Sequence, residues 1–245
     1  QSIQRPLQKN NRQTSTYYLE RTANLLHSKG TPIQVRVTLT KETFNRQTEI
    51  CDYLCRTLHP ESIHVEPVYM GGKSKGDFLT DLNRIDEFVQ SFSQAKSLAS
   101  TFNVRWEMST ARINNIHTAY CNIFRQVLQL VPGNAASACF KYVNSEQIEN
   151  TNFKIGWFDS KTNSFILDQS TINSLRSNFR QPMKCAGCFL EYQCTHNCPN
   201  NCCFEQEETT DFLCQLSRLI VFDDLKNWMT KLRHSSQLIS GTTIK

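Results

Sequence analysis

Four thiols fall within fourteen residues, at Cys185, Cys188, Cys194 and Cys198, with two, five and three residues between them; Cys202, Cys203 and Cys214 follow. Thiolates packed this closely hold a metal or a cluster, and soft sulfur selects zinc, copper(I) or iron–sulfur centres over hard cations. A looser pair, Cys121 and Cys139, lies upstream on either side of Gly133. Cys51 and Cys55 are different: four residues apart on a predicted helix with Ile50, Leu54 and Leu58 beside them, they read as small core residues. His196, inside the cysteine-rich stretch, reads as a loop histidine.

Composition argues against a disulfide scaffold. A chain of 245 residues can bury a core without staples. Its eleven cysteines are an odd number, so pairing leaves one over. The opening residues have no apolar core of a secretory signal, and a reducing cytoplasm is the expected setting. No apolar run reaches the roughly 18–20 residues of a membrane span. The net charge of +5 is spread thinly, and Lys73 and Lys75 make a small basic loop without the clustered basic face that nucleic acid requires. The Gly71-Gly-Lys-Ser74 run lacks the frame of a phosphate loop. Neither a nucleic-acid nor a membrane partner is expected.

The elements that position these thiols fall into two textures. Thr14 or Ser15 caps a helix that ends at Gly30. Ile33–Leu39 alternates as a strand, Lys41–Leu58 reads as a helix, and Ile63–Val68 as a strand stopped by its proline. Asp77–Phe102 reads as helix and Val104–Met108 as a third strand. Such alternation implies an α/β arrangement with a parallel sheet and helical crossovers. Arg36 lies mid-strand among apolar neighbours, where a charge needs a partner; Glu66, at a strand end, is one. Beyond Ser109, Phe124–Val131 and Ala136–Tyr142 flank Pro132-Gly133 as a hairpin, and Ile155–Phe158 and Phe165–Leu167 read as short strands. The cysteine-rich stretch reads as loop. Asp211–Leu232 closes the chain as a helix whose core face is Phe212, Leu216, Leu219, Ile220, Leu225 and Met229. Two domains are expected, 1–108 and 109–245.

Taken together, Cys121, Gly133, Cys139, the Cys185-x2-Cys188-x5-Cys194-x3-Cys198 core and the lone Cys214 resemble the seven-cysteine signature of the SPASM domain. That domain is the C-terminal extension of radical S-adenosylmethionine (radical SAM) enzymes that mature peptides and proteins, the anaerobic sulfatase-maturating enzymes among them. The core spacing matches without a gap; five residues rather than the usual four separate Gly133 from Cys139, an insertion that a bulge absorbs. In the first half, Gln4-Arg-Pro6 resembles the segment after the fourth barrel strand, and Ile33–Leu39 and Ile63–Pro67 resemble the fifth and sixth.

The resemblance implies the C-terminal half of a partial (β/α) radical SAM barrel, followed by a small SPASM domain with a β-hairpin and a closing helix. It implies two auxiliary 4Fe-4S clusters: Cys185, Cys188, Cys194 and Cys214 on the outer, Cys121, Cys139 and Cys198 on the inner. Cys202 or Cys203 are alternatives to Cys214. Arg36 and Glu66 become candidate contacts to S-adenosyl-L-methionine. The Cys-x3-Cys-x2-Cys motif of the third, SAM-cleaving cluster is missing, so this chain alone should be inactive. Its implied partners are the missing N-terminal barrel half, a peptide or protein substrate, and a reductant such as flavodoxin or ferredoxin. Phe140 stands where sulfatase-maturing relatives carry an aspartate base, which points to other peptide modifications. From a different class, a zinc-binding interaction module with four-cysteine sites accounts for the same short spacings.

Overall fold

The computed structural model describes residues 14–68, 81–114, 116, 127–178, 185–196 and 207–240. The chain is a mixed α/β protein with one parallel and one antiparallel sheet. It divides into two compact units, residues 1–116 with 211–245, and residues 117–210. The closing helix, placed by the sequence in a second domain of 109–245, therefore belongs to the first unit by its packing.

The first unit is built on three parallel strands, β1 (Gln34–Leu39), β2 (Ser62–Pro67) and β3 (Arg105–Glu107), in that spatial order. Helix α1 (Ser15–Ser28) starts where the Thr14 hydroxyl accepts from the Tyr17 amide, a cap that satisfies one of the four orphan donors of a helix start. Helix α2 (Gln47–Leu58) begins later than the expected Lys41, because the Thr43 hydroxyl accepts from the Thr40 amide at 2.9 Å and folds residues 41–45 into a turn. A 3-10 turn, Leu82–Arg84, leads into α3 (Ile85–Thr101).

Strand alternation divides the sheet into two faces. Leu39, Ile63, Val65 and Trp106 lie in a closed core with Phe44, Phe88 and Phe92. The C-terminal helix, here α6 (Glu207–Ser240), adds Phe212, Leu213, Leu216 and Ile220 to that core. Its contact stripe is shorter than the sequence suggests. Leu225 is half-buried and Met229 is 51% exposed, so the core face stops near Val221. Ser93 bonded to Asp223 and Lys96 paired with Asp224 pin α6 to α3 just past that point.

The second unit carries a four-stranded antiparallel meander: β4 (Gln129–Val131), β5 (Ala135–Ser137), β6 (Lys154–Asp159) and β7 (Ser164–Leu167). The β4–β5 turn needs left-handed backbone, which Gly133 (φ +91°) and Asn134 (φ +63°) supply. The hairpin is shorter than expected: Ala138–Tyr142 leave the sheet after Ser137, and residues 124–126 lie outside the described set. Two helices have no counterpart in the sequence reading. They are α4 (Ser145–Ile148), capped by Asn144, and α5 (Gln169–Asn178), whose start is held by Asp168 accepting from the Ser170 and Thr171 amides.

Candidate functional site

In the second unit the thiols sit on tight turns. Cys185 to Cys194 is a run of turns in which Cys188 donates to the Cys185 carbonyl, Glu191 to that of Cys188, and Cys194 to that of Leu190. Gly187, between the first two cysteines, has φ +75°. That left-handed residue closes the turn between the two cysteines, a backbone conformation that an L side chain resists. His196 also takes positive φ (+59°), and its amide donates to the Cys194 sulfur at 3.3 Å. Its imidazole is engaged elsewhere, Nε2 lying 3.0 Å from the Glu191 carbonyl.

Cys139 repeats the pattern on another element. Just past β5, the Ser137 hydroxyl accepts from the Cys139 amide at 3.0 Å and donates to its carbonyl at 2.9 Å, clamping the turn. The Lys141 amide donates to the Cys139 sulfur at 3.5 Å. The side chain packs among Ala136, Ala138, Phe153, Ile155 and Leu175, whereas Phe140 is 69% exposed. Amide donors two residues beyond a cysteine stabilise a thiolate more than a thiol, because the bond is to the charged form.

The remaining thiols are placed differently. Cys51 and Cys55 are buried on α2 with sulfurs 3.9 Å apart, and Cys51 also reaches the Ala95 carbonyl. Burial, with Cys55 beside it, pushes the Cys51 thiol up to about 12, and burial likewise raises Cys55. Both are neutral core residues, as their helical spacing indicates. Cys214 lies half-buried on α6, within the first unit. Cys121 and Cys198, as well as Cys202 and Cys203, lie outside the described residues.

No protein-family model and no curated protein matches this chain. Among the described residues no three His, Cys, Asp or Glu side chains come together as a ligand set, and Cys139, Cys185, Cys188, Cys194 and Cys214 form no disulfide. The donor chemistry and the local turns suit thiolate ligation. The described thiols alone do not close a metal site.

The first unit holds a second polar grouping, on the sheet face opposite the core. Arg36 pairs in register with His64, and His64 with Glu107. His64 Nε2 lies 3.7 Å from Glu107 Oε2, and Arg112 Nη1 lies 3.8 Å from the same oxygen. Burial holds the His64 imidazole below its ordinary pKa, outweighing the attraction of Glu107, so at neutral pH the contact joins a neutral ring to a carboxylate. Arg36 does not have the partner expected of it: it is exposed and forms no ion pair among the described residues. Glu66 is buried, in register with Thr38, and accepts from the Ser109 amide at 2.8 Å.

Trp106, His64, Glu107 and Arg112 went unnoticed in the sequence. The signal was present, since the Ile63-His-Val-Glu and Arg105-Trp-Glu runs alternate in phase, but the pairing register was needed to bring His64 opposite Glu107. No helix among the described residues is long and apolar enough to cross a membrane.

Proposed function

We propose that the chain is the C-terminal part of a radical SAM peptide or protein maturase, whose cysteine-rich unit holds two auxiliary 4Fe-4S clusters. The observation that carries the reading is the Cys-x2-Cys-x5-Cys-x3-Cys spacing, of which Cys185, Cys188 and Cys194 lie on tight turns and Cys194 accepts from a backbone amide at its sulfur. Such clusters, when bound, exchange electrons with a substrate radical. The chain's own part is narrower: Ser137 fixes the Cys139 turn, Gly187 closes the Cys185–Cys188 turn, and the Lys141 and His196 amides donate to two sulfurs, the kind of hydrogen bond by which a protein tunes a cluster's reduction potential.

The first unit supports the same reading at a coarser level. Three parallel strands with helices on the core face and Arg36, His64 and Glu66 on the other resemble a section of an α/β barrel wall, whose inner face at the strand ends builds sites. Arg36 and Glu66 are proposed contacts for S-adenosyl-L-methionine in the assembled enzyme. The partners proposed are a peptide or protein substrate, a chain segment completing the barrel, and a flavodoxin or ferredoxin as reductant. Cys198→Ala tests the ligand division: it should lose the inner cluster's spectrum and keep the outer's, whereas loss of the outer cluster alone contradicts the assignment.

A zinc-stabilised interaction module remains the second reading, favoured by one specific feature. A Cys-x2-Cys turn with a left-handed glycine at its third position, as at Gly187, also suits a tetrahedral zinc site.

A further inference from the structure

Helix α6 outruns the core that anchors it. Its core contacts end near Val221, and Ser93 and Lys96 hold it to α3 through Asp223 and Asp224. Residues 222–240 continue as helix for about 28 Å. On that stretch Phe222, Trp228, Met229 and Leu232 are 46–58% exposed, and Leu225 is half-buried. A single apolar side chain in water needs no explanation, whereas a run of them along one helix does.

Their spacing indicates what covers them. Phe222, Leu225, Met229 and Leu232 follow one another at three, four and three residues, the a and d positions of a heptad, which line a narrow seam along a helix. In that register Lys226 and Arg233 take the two e positions beside the seam, and Trp228 takes a g position. The Lys226 ammonium lies 4.6 Å from the centre of the Phe222 ring, at the border of the seam. Neither Lys226 nor Arg233 has an ion pair among the described residues. From Leu225 to Ser240 the helix carries three Lys or Arg and no Asp or Glu. The nearest acids, Asp223 and Asp224, are taken up by Ser93 and Lys96.

We infer that this seam docks an acidic amphipathic helix of another polypeptide. The partner's apolar stripe lies against Phe222, Leu225, Met229 and Leu232, and its Asp or Glu residues face Lys226 and Arg233. Burial of the stripe supplies the affinity, and the flanking charges select the partner. A second copy of the chain fits less well, because it brings no acid to either e position. In antiparallel pairing it sets e against e, one basic side chain against another. A bilayer surface takes a broader apolar face than an a/d seam. Every residue involved belongs to the first unit, so the outcome is independent of what the cysteines bind.

The test titrates the full-length chain, labelled with nitrogen-15, with a capped peptide of three Glu-Ile-Ala-Ala-Leu-Glu-Lys repeats, followed at the indole N–H signals. Trp228→Phe assigns the Trp228 signal. The expected result is a saturable shift of Trp228 with the Trp106 and Trp157 indoles unmoved. A peptide of three Lys-Ile-Ala-Ala-Leu-Lys-Glu repeats keeps the apolar stripe and reverses its flanks, and it should bind at least about tenfold more weakly. Met229→Glu, at an exposed position outside the core, should abolish the shift while circular dichroism shows the helix intact. No shift at millimolar acidic peptide overturns the inference, as does equal binding of the two peptides or full binding by the Met229 variant. Concentration-dependent dimers of the chain alone in sedimentation, lost in Met229→Glu, would assign the seam to a second copy instead. A response of Trp228 to phosphatidylglycerol vesicles and not to the acidic peptide would assign it to a lipid surface.

Discussion

The His196 amide points at the sulfur of Cys194 from 3.3 Å, and the Lys141 amide stands in the same two-residue relation to Cys139 at 3.5 Å. Cys51 and Cys55 share no such relation; their sulfurs face each other and a carbonyl inside the core. One chain thus carries two populations of thiol, one met by backbone amides and one buried against a neighbouring sulfur and a carbonyl.

That contrast predicts a reactivity pattern. In metal-free protein at pH 8, iodoacetamide should modify Cys185, Cys188 and Cys194 well before Cys51 and Cys55, since the thiolate is the nucleophile and burial holds Cys51 near 12. Peptide mapping by mass spectrometry reads the order. Early labelling of Cys51 in folded protein contradicts the assignment.

Two glycines hold the second unit together for steric reasons. A Cβ on Gly156 would lie 2.4 Å from the Ile166 carbonyl oxygen, a backbone atom that cannot move without opening β6 from β7. At Gly133 the added carbon would meet the Ser145 hydroxyl at 1.9 Å, on a backbone already at φ +91°. Gly156→Ala and Gly133→Ala should each destabilise the unit by about 1–3 kcal/mol, the usual cost of overpacking. Gly30→Ala is the control for positive φ without a clash, as nothing lies within 4 Å of its added carbon; it should cost about 1 kcal/mol. Equal losses at Gly133 and Gly30 would show backbone strain and not contact to be the cause at Gly133.

The helix that the sequence reading missed has its own test. Asp168 holds the start of α5 through two amides and the Thr171 hydroxyl. Asp168→Ala should cost about 1 kcal/mol and Asp168→Asn much less, since either polar side chain accepts at a helix start. Chemical denaturation of both variants measures the difference.

The fold of the first unit was legible because strand alternation and helix periodicity agree there: Ile33–Leu39 differs from β1 by one residue at its start, and Ile63–Val68 from β2 by one residue at each end. The misses have local causes. A threonine turn delays α2 beyond Lys41, and Asp168 starts a helix in the polar run Gln169-Ser-Thr-Ile-Asn-Ser174 that shows little apolar period. Met229 continues the helical stripe of α6, yet it is exposed, because periodicity gives a face and not the length over which the face is covered. The thiol turns were legible from spacing. The polar grouping around His64 and Glu107 was not, because it depends on pairing between strands more than forty residues apart.

His64 makes the first unit sensitive to acid. Its imidazole, partly buried and faced by Glu107, Arg112, Arg36 and Arg105, has a pKa below that of an unfolded histidine, about 6.5. The unfolded chain takes up this proton first, so stability is full above about 6.5 and falls as pH drops from there to the folded-state value. Denaturation midpoints should decrease between pH 7.5 and 5.5, and His64→Gln should flatten that decrease. An unchanged slope in the variant would assign the acid sensitivity to other groups.

The central claim is that the cysteine-rich unit holds iron–sulfur clusters, and metal and acid-labile sulfide content after anaerobic reconstitution and desalting tests it most directly. The account predicts about eight irons and about eight sulfides per chain with little zinc, the content of two four-iron clusters. One or two zinc ions with no acid-labile sulfide would contradict it and establish a zinc-stabilised module in its place.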